Sequence, residues 1–429
     1  MNIEATFTPS KPAISYKSTV TACYIGNIVQ ASVVNLTPVL FIPLREAYGF
    51  SYEQLGLLIL INFITQVLVD IGFSRAVDKY GFRPFVVTAQ LLTVVGFVLF
   101  ALAPSIFDRP YVGFIIATII FSGAGGLLEL LLSPIVNAIP TDEKATTMSV
   151  LHSFYAWGQV TVVLLTTLFL FAFGRGSWPI IMVLWTIPAI FNFFLFLKVP
   201  LAPTVAEEHR QGMRALILKP FFIVAFFSIL FGGASEISMS QWSSAFMEKA
   251  LQLPKVVGDV AGMCMFGVML GVGRAWYGAR GAKMHVNRVM LIGAAIAIGC
   301  YLVVSLSPSN VLGLIACGVC GFGVSLLWPG TLVLAAERFP LAGSWLFAIL
   351  AAGGDIGASV GPWVVSLVTD NAPTMAVFQN LSIAAGLNAE QLGLRLGMLS
   401  GVIFPLGALA CVWWMFHDNK KYRLTNTEK

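Results

Sequence analysis

Twelve stretches of about twenty mainly apolar residues follow one another along this chain, each long enough to cross a bilayer as a helix. They run over 18–43, 54–74, 84–104, 111–138, 146–173, 178–199, 220–247, 257–278, 287–307, 310–336, 343–369 and 394–416. Only 10% of the 429 residues are charged and 58% are hydrophobic. A water-facing exterior cannot be built from that mixture, so most apolar side chains must meet lipid or another helix. The first 17 residues are polar and lack a signal peptide's apolar core, so the first span is expected to remain in the mature protein. The two long interruptions are 200–219 and 370–393, and the former divides the spans six and six. The chain therefore reads as an N-terminal bundle (1–199), a linker (200–219), a C-terminal bundle (220–418) and a tail (419–429).

With the N-terminus placed inside, 19 of the 25 lysines and arginines fall on the inner side and 6 on the outer, the latter being Arg45, Arg109, Arg175, Lys249, Lys255 and Arg395. That bias predicts an even number of spans, both termini in the cytoplasm and a cell-membrane location. It also explains the net charge of +5 without a nucleic-acid partner. An internal repeat supports the same division. SRAVDKYGFR (74–83) follows the second span and GRAWYGARGAK (273–283) the eighth, while Pro134 and Pro329 occupy the fourth and tenth. Parallel repeats of this kind place a binding site between the halves near the membrane centre.

Residues 74–83 resemble the signature loop of the major facilitator superfamily. Asp78, Lys79, Gly81 and Arg83 match it, whereas Ser74 replaces a glycine and Phe82 a basic residue. GLLELLLSPIVNAIP (126–140), LHSFYAWG (151–158) and GASEISMSQWSSAF (233–246) resemble the fucose–proton symporter family and related bacterial sugar permeases. The resemblance implies an all-α membrane fold of two pseudo-symmetric six-helix bundles, alternating access, and one complete pathway per monomer. It also implies that Glu129 couples protons to a sugar. A second family acid in the first span is missing, and Asn35 lies near its place. The resemblance further implies that the Asp78 loop, with Arg83, bridges the halves, where Glu337 and Arg338 can join it.

The residues themselves lead partway there. Four acids lie within predicted spans, Asp70, Glu129, Glu236 and Asp355, and no lysine or arginine is expected at similar depth. Such acids are costly and must be protonated, hydrated or balanced by a bound cation. Helical spacing places Glu129, Ser133 and Asn137 on one face, His152, Tyr155 and Gln159 on another, and Asn62, Gln66 and Asp70 on a third. Glu236, Ser240 and Ser244 form a fourth, with Gln241 and Trp242 beside it. These stripes line a cavity or hydrogen-bond between helices. Asp70 is expected to pair with Arg75 or Arg274 as a gate. Asp355 lies in the small-residue segment GGDIGASVGP, as a cavity-lining or packing acid. Amides with Trp242 and Trp328 suit a hydroxylated solute, amides meeting its hydroxyls and rings its C–H face.

These features predict a proton- or sodium-coupled importer of a sugar or similar polar solute, with drug–proton antiport as the alternative. No resident cofactor is implied. The six cysteines lie in apolar runs, and the Cys317/Cys320 spacing lacks the second pair or histidine of a metal site. No hydrolase motif or nucleotide-binding loop occurs, so neither an enzyme nor an ATP-driven pump is expected.

Overall fold

The computed structural model describes residues 16–139, 144–201, 217–280, 284–339, 344–375, 377–378 and 386–427. The described residues hold eleven helices long and apolar enough to cross a membrane, twelve when a bent pair is counted as one span. The bent pair is the first span, Lys17–Val39 continued by Phe41–Tyr48 at 45°. The second to fifth spans are Tyr52–Tyr80, Phe82–Ile106, Pro110–Ala138 and Lys144–Phe173. The sixth is Trp178–Leu184 followed by Thr186–Lys198. The seventh is Pro220–Ala245, the eighth Met265–Arg280 and the ninth Val286–Leu306. The tenth is Asn310–Val324 with Leu327–Arg338, the eleventh Ser344–Asn371, and the twelfth Ala389–Ser400 with Ile403–Thr427. The last helix thus continues to Thr427, into the segment expected as a tail. Most of the expected 200–219 linker lies outside the described residues.

The packing repeats with a shift of six. Spans 1 and 5, 2 and 4, and 3 and 4 adjoin in the first half, as do 7 and 11, 8 and 10, and 9 and 10 in the second. Between the halves, span 2 meets span 11 and span 5 meets span 8, two contacts that the same shift exchanges, and span 1 meets span 7. Large apolar side chains cover the outside, including Phe171, Phe173, Phe191, Ile292 and Ile315. In water this surface would drive aggregation; in a bilayer it is the solvent-matched face.

Prolines set the breaks. A proline has no N–H for the carbonyl four residues earlier, so that carbonyl needs another donor. Pro43 frees Val39 O at the bend of span 1, and Lys255 Nζ of the other half donates to it at 2.8 Å. Pro329 frees Ser325 O at the break of span 10, and Arg274 Nε of span 8 donates to it at 3.3 Å. The seventh and eighth spans are joined through π-helical turns at Phe246–Ala250 and Gly258–Cys264. Such turns unwind the helix locally and re-aim side chains.

Candidate functional site

Carboxylate oxygens of Asp70 (span 2), Glu129 (span 4) and Asp355 (span 11) lie within 4.8 Å of one another, so both halves contribute to one acidic centre. Close helix approach brings them together. A Cβ at Gly126 would sit 2.9 Å from the Gln66 carbonyl, so span 4 can lie this near span 2 only without a side chain there. One turn further along each helix, Asp70 and Glu129 then face each other. In span 11, a Cβ at Gly357 would overlap the Leu230 carbonyl of span 7, and this contact seats the segment carrying Asp355.

Gln30 Nε2 donates to Glu129 Oε2 at 3.2 Å. Asp70 Oδ1 and Asp355 Oδ2 are buried without a hydrogen-bond partner among the described residues. No lysine or arginine with a described side chain forms an ion pair with any of the three. Three negative charges so close in a low-dielectric setting repel strongly, and the arrangement suits a centre that takes up positive charge. Its hard oxygen donors can accept a proton or coordinate an ion such as sodium. The expected pairing of Asp70 with Arg274 is not formed, because Asp70 points along its stripe toward span 4. Arg75 and Asp78 have side chains outside the described residues, as do Asn137 and His152.

The expectation that no cation lies deep in the spans is overturned by Arg274. Its Nη2 donates to both oxygens of Glu236, at 3.2 and 3.1 Å, and its Nε serves the carbonyl freed by Pro329. Glu236 therefore has an internal counter-ion and stands apart from the acidic centre. Tyr155 stands beside Asn35, within electrostatic reach of Glu129, Glu236 and Arg274.

Exposure grades along the interface. Glu129, Ser133, Tyr155 and Trp328 are half-buried between the halves, toward the end that carries the termini. Further from the termini, Asn35, Gln159 and Gln241 are buried. Asn35 Nδ2 donates to Ala31 O, Gln159 Nε2 to Ser240 Oγ across the halves at 3.0 Å, and Gln241 Nε2 to Val34 O at 3.4 Å. Trp242, expected to face the solute, is fully buried against Phe41 and Tyr52, its indole N–H on Pro362 O. In this conformation it belongs to the plug that closes the side away from the termini. Trp328 lays its ring against Gly354.

Two of the expected gate residues, Arg83 and Arg338, make contacts within their own halves. Arg83 donates to the carbonyls of Phe196, Leu197 and Val199, capping the sixth span. Arg338 pairs with Asp418 of the twelfth span at 3.1 Å, and Glu337 lies exposed one residue before it. Residues not singled out in the sequence also matter. Lys255 and Asp259 form an ion pair at 3.0 Å in which both side chains are under a tenth exposed. Their spacing of four within an apolar run was the signal available for them.

A polytopic helical bundle of two matched halves, with an acidic centre and amide-bearing faces between them, defines a membrane transporter that works at the interface of its halves. The sequence matches the profile of the Major Facilitator Superfamily over residues 22–362, and the chain belongs to that superfamily. No curated protein sequence matches it significantly. Among solved structures, a bacterial homologue of the human lysosomal transporter Spinster, in an inward-facing and occupied conformation, is similar with a TM-score of 0.76 and 15% identity, covering 95% of this chain and 98% of its own. A D-xylose–proton symporter gives 0.72 and 16%, covering 91% and 97%. The fucose–proton symporter of E. coli gives 0.62 and 14%, covering 94% and 99%. At these identities the likeness establishes the fold.

Proposed function

We propose that the protein is a cation-coupled importer, most simply a proton symporter, of a sugar or similar small polar solute. The acidic centre of Asp70, Glu129 and Asp355 carries the reading, because it joins the halves and lacks a cationic side chain among those described. Positive charge taken up there removes the repulsion between the halves' carboxylates and so couples binding to their relative movement. The hydroxyl and amides of Tyr155, Asn35, Gln159 and Gln241, with Ser133 and Trp328, supply the chemistry for a hydroxylated solute. Two of the similar structures are, by name, sugar–proton symporters. The excess of lysine and arginine on one side supports cytoplasmic termini for this reading, in which the monomer is the transporting unit.

The test is uptake of radiolabelled monosaccharides into proteoliposomes under an inward proton gradient and, separately, a sodium gradient, with Glu129→Gln in parallel. Gradient-driven accumulation of one sugar is expected, reduced in the variant to simple equilibration while sugar exchange continues. If no sugar accumulates under either gradient and a hydrophobic cation is instead expelled in exchange for protons, the importer reading fails and the drug antiporter replaces it.

A further inference from the structure

Span 1 offers the opposing half two carbonyls that its own helix cannot use. Pro38 leaves Val34 O without its helical donor, and Pro43 does the same to Val39 O. Side chains of the second half take both: Gln241 donates to Val34 O at 3.4 Å and Lys255 to Val39 O at 2.8 Å. The Lys255 contact is the shorter and is charge-assisted, so it dominates.

Lys255 is one node of a buried network. Asp259 accepts from Lys255 at 3.0 Å, from Thr167 of the first half at 2.6 Å, and from Ser244 Oγ. Asp259 is fully buried and Lys255 is 9% exposed. Every strong polar demand is met here, and two of the bonds, Lys255 to Val39 O and Thr167 to Asp259, cross between the halves. The ion pair itself lies wholly in the second half. When the halves part on this side, the charges remain paired, and water replaces only the two crossing bonds. Opening therefore leaves this buried ion pair intact, unlike the half-exposed pairs that cross the halves at the rim, which keeps the buried contact reversible.

We infer that the carbonyls freed by Pro38 and Pro43, with Lys255, Asp259 and Thr167, form a catch that holds the side of the pathway away from the termini shut. Charge-assisted hydrogen bonds that form only in the closed arrangement shift the balance between conformations by on the order of tenfold or more. The inference concerns the conformational balance and stands whichever solute or coupling ion the protein carries.

Pro43→Ala supplies the missing N–H and so competes with Lys255 for Val39 O, leaving the ion pair untouched. Thr167→Val removes the other crossing bond. Hydrogen–deuterium exchange of the full chain in lipid nanodiscs reads both ends of the interface together. In each variant, amides of 246–260 are expected to exchange on the order of tenfold faster, and those of 128–138 and 328–338 more slowly. Pro329→Ala, which alters a freed carbonyl inside one half, is expected to leave both ends as in the unaltered protein. The catch is overturned if Pro43→Ala and Thr167→Val leave 246–260 unchanged. Faster exchange at both ends, which signals general loosening, also overturns it, as does a Pro329→Ala response equal to that of Pro43→Ala.

Discussion

The same construction occurs twice in this molecule, once inside a half and once between halves. At Ser325 a proline-freed carbonyl is served by Arg274, which Glu236 balances; at Val39 a proline-freed carbonyl is served by Lys255, which Asp259 balances. The first keeps a broken helix attached to its own bundle and persists as the bundles move. The second spans the moving joint. Position relative to the joint, rather than bond chemistry, separates a staple from a catch. The acidic centre differs from both: it crosses the joint and has no cationic partner among the described side chains.

Removing one partner from each construction sharpens the contrast. Lys255→Met leaves Asp259 fully buried with hydroxyl donors only, and is expected to cost about 3–5 kcal/mol. Asp259→Asn in the same chain should recover much of that loss, measured as melting temperature in one detergent. If Lys255→Met melts like the unaltered protein, the buried pair contributes nothing, and the contrast with Arg274 collapses.

Arg274→Met comes next in size. Its side chain is 33% exposed, so water compensates part of the loss and about 2–3 kcal/mol is expected. Unlike Lys255→Met, it should lower the melting temperature equally whether the protein is trapped open to one side or the other. A loss confined to one conformation would mean that the Arg274 pair also spans the working joint.

Much of this architecture was legible beforehand. Twelve apolar runs, the half-chain repeat and the polar stripes required two bundles with polar inner faces, and the stripe of Asn62, Gln66 and Asp70 does turn inward. The partners of those stripes were not legible. Of the two arginines expected beside Asp70, Arg274 pairs with Glu236 instead, while Gly126 lets span 4 approach and brings Glu129 to Asp70. Arg274 counts among the inner-side cations in the sequence, yet the carbonyl freed by Pro329 and the charge on Glu236 draw it into the bundle. That demand is readable: a proline within an apolar span leaves an unmet acceptor four residues back. Trp242 and the buried amides illustrate another limit. A transporter sequence encodes at least two packings, so a residue suited to a solute in one can lie inside the plug of the other.

Salt gives the smallest effect and the finest division of the interface. At the rim away from the termini, Arg175 bridges Glu46 and Glu248 at 2.7 and 2.6 Å, and Lys249 also pairs with Glu46 at 2.8 Å. The Arg175–Glu248 and Lys249–Glu46 contacts cross the halves as the Lys255 node does, but Arg175 and Glu46 are 39% and 43% exposed. Exposed pairs contribute about 0.2–1 kcal/mol, and raising ionic strength from about 0.1 to 1 M shortens the screening length from roughly 10 to 3 Å. Exchange of amides in 174–178 and 246–252 should therefore rise by no more than about fivefold in high salt, with 255–259 unchanged because mobile ions do not enter a dry network. Opening of 255–259 by salt alone would place the catch in the rim lattice and reduce the buried node to packing.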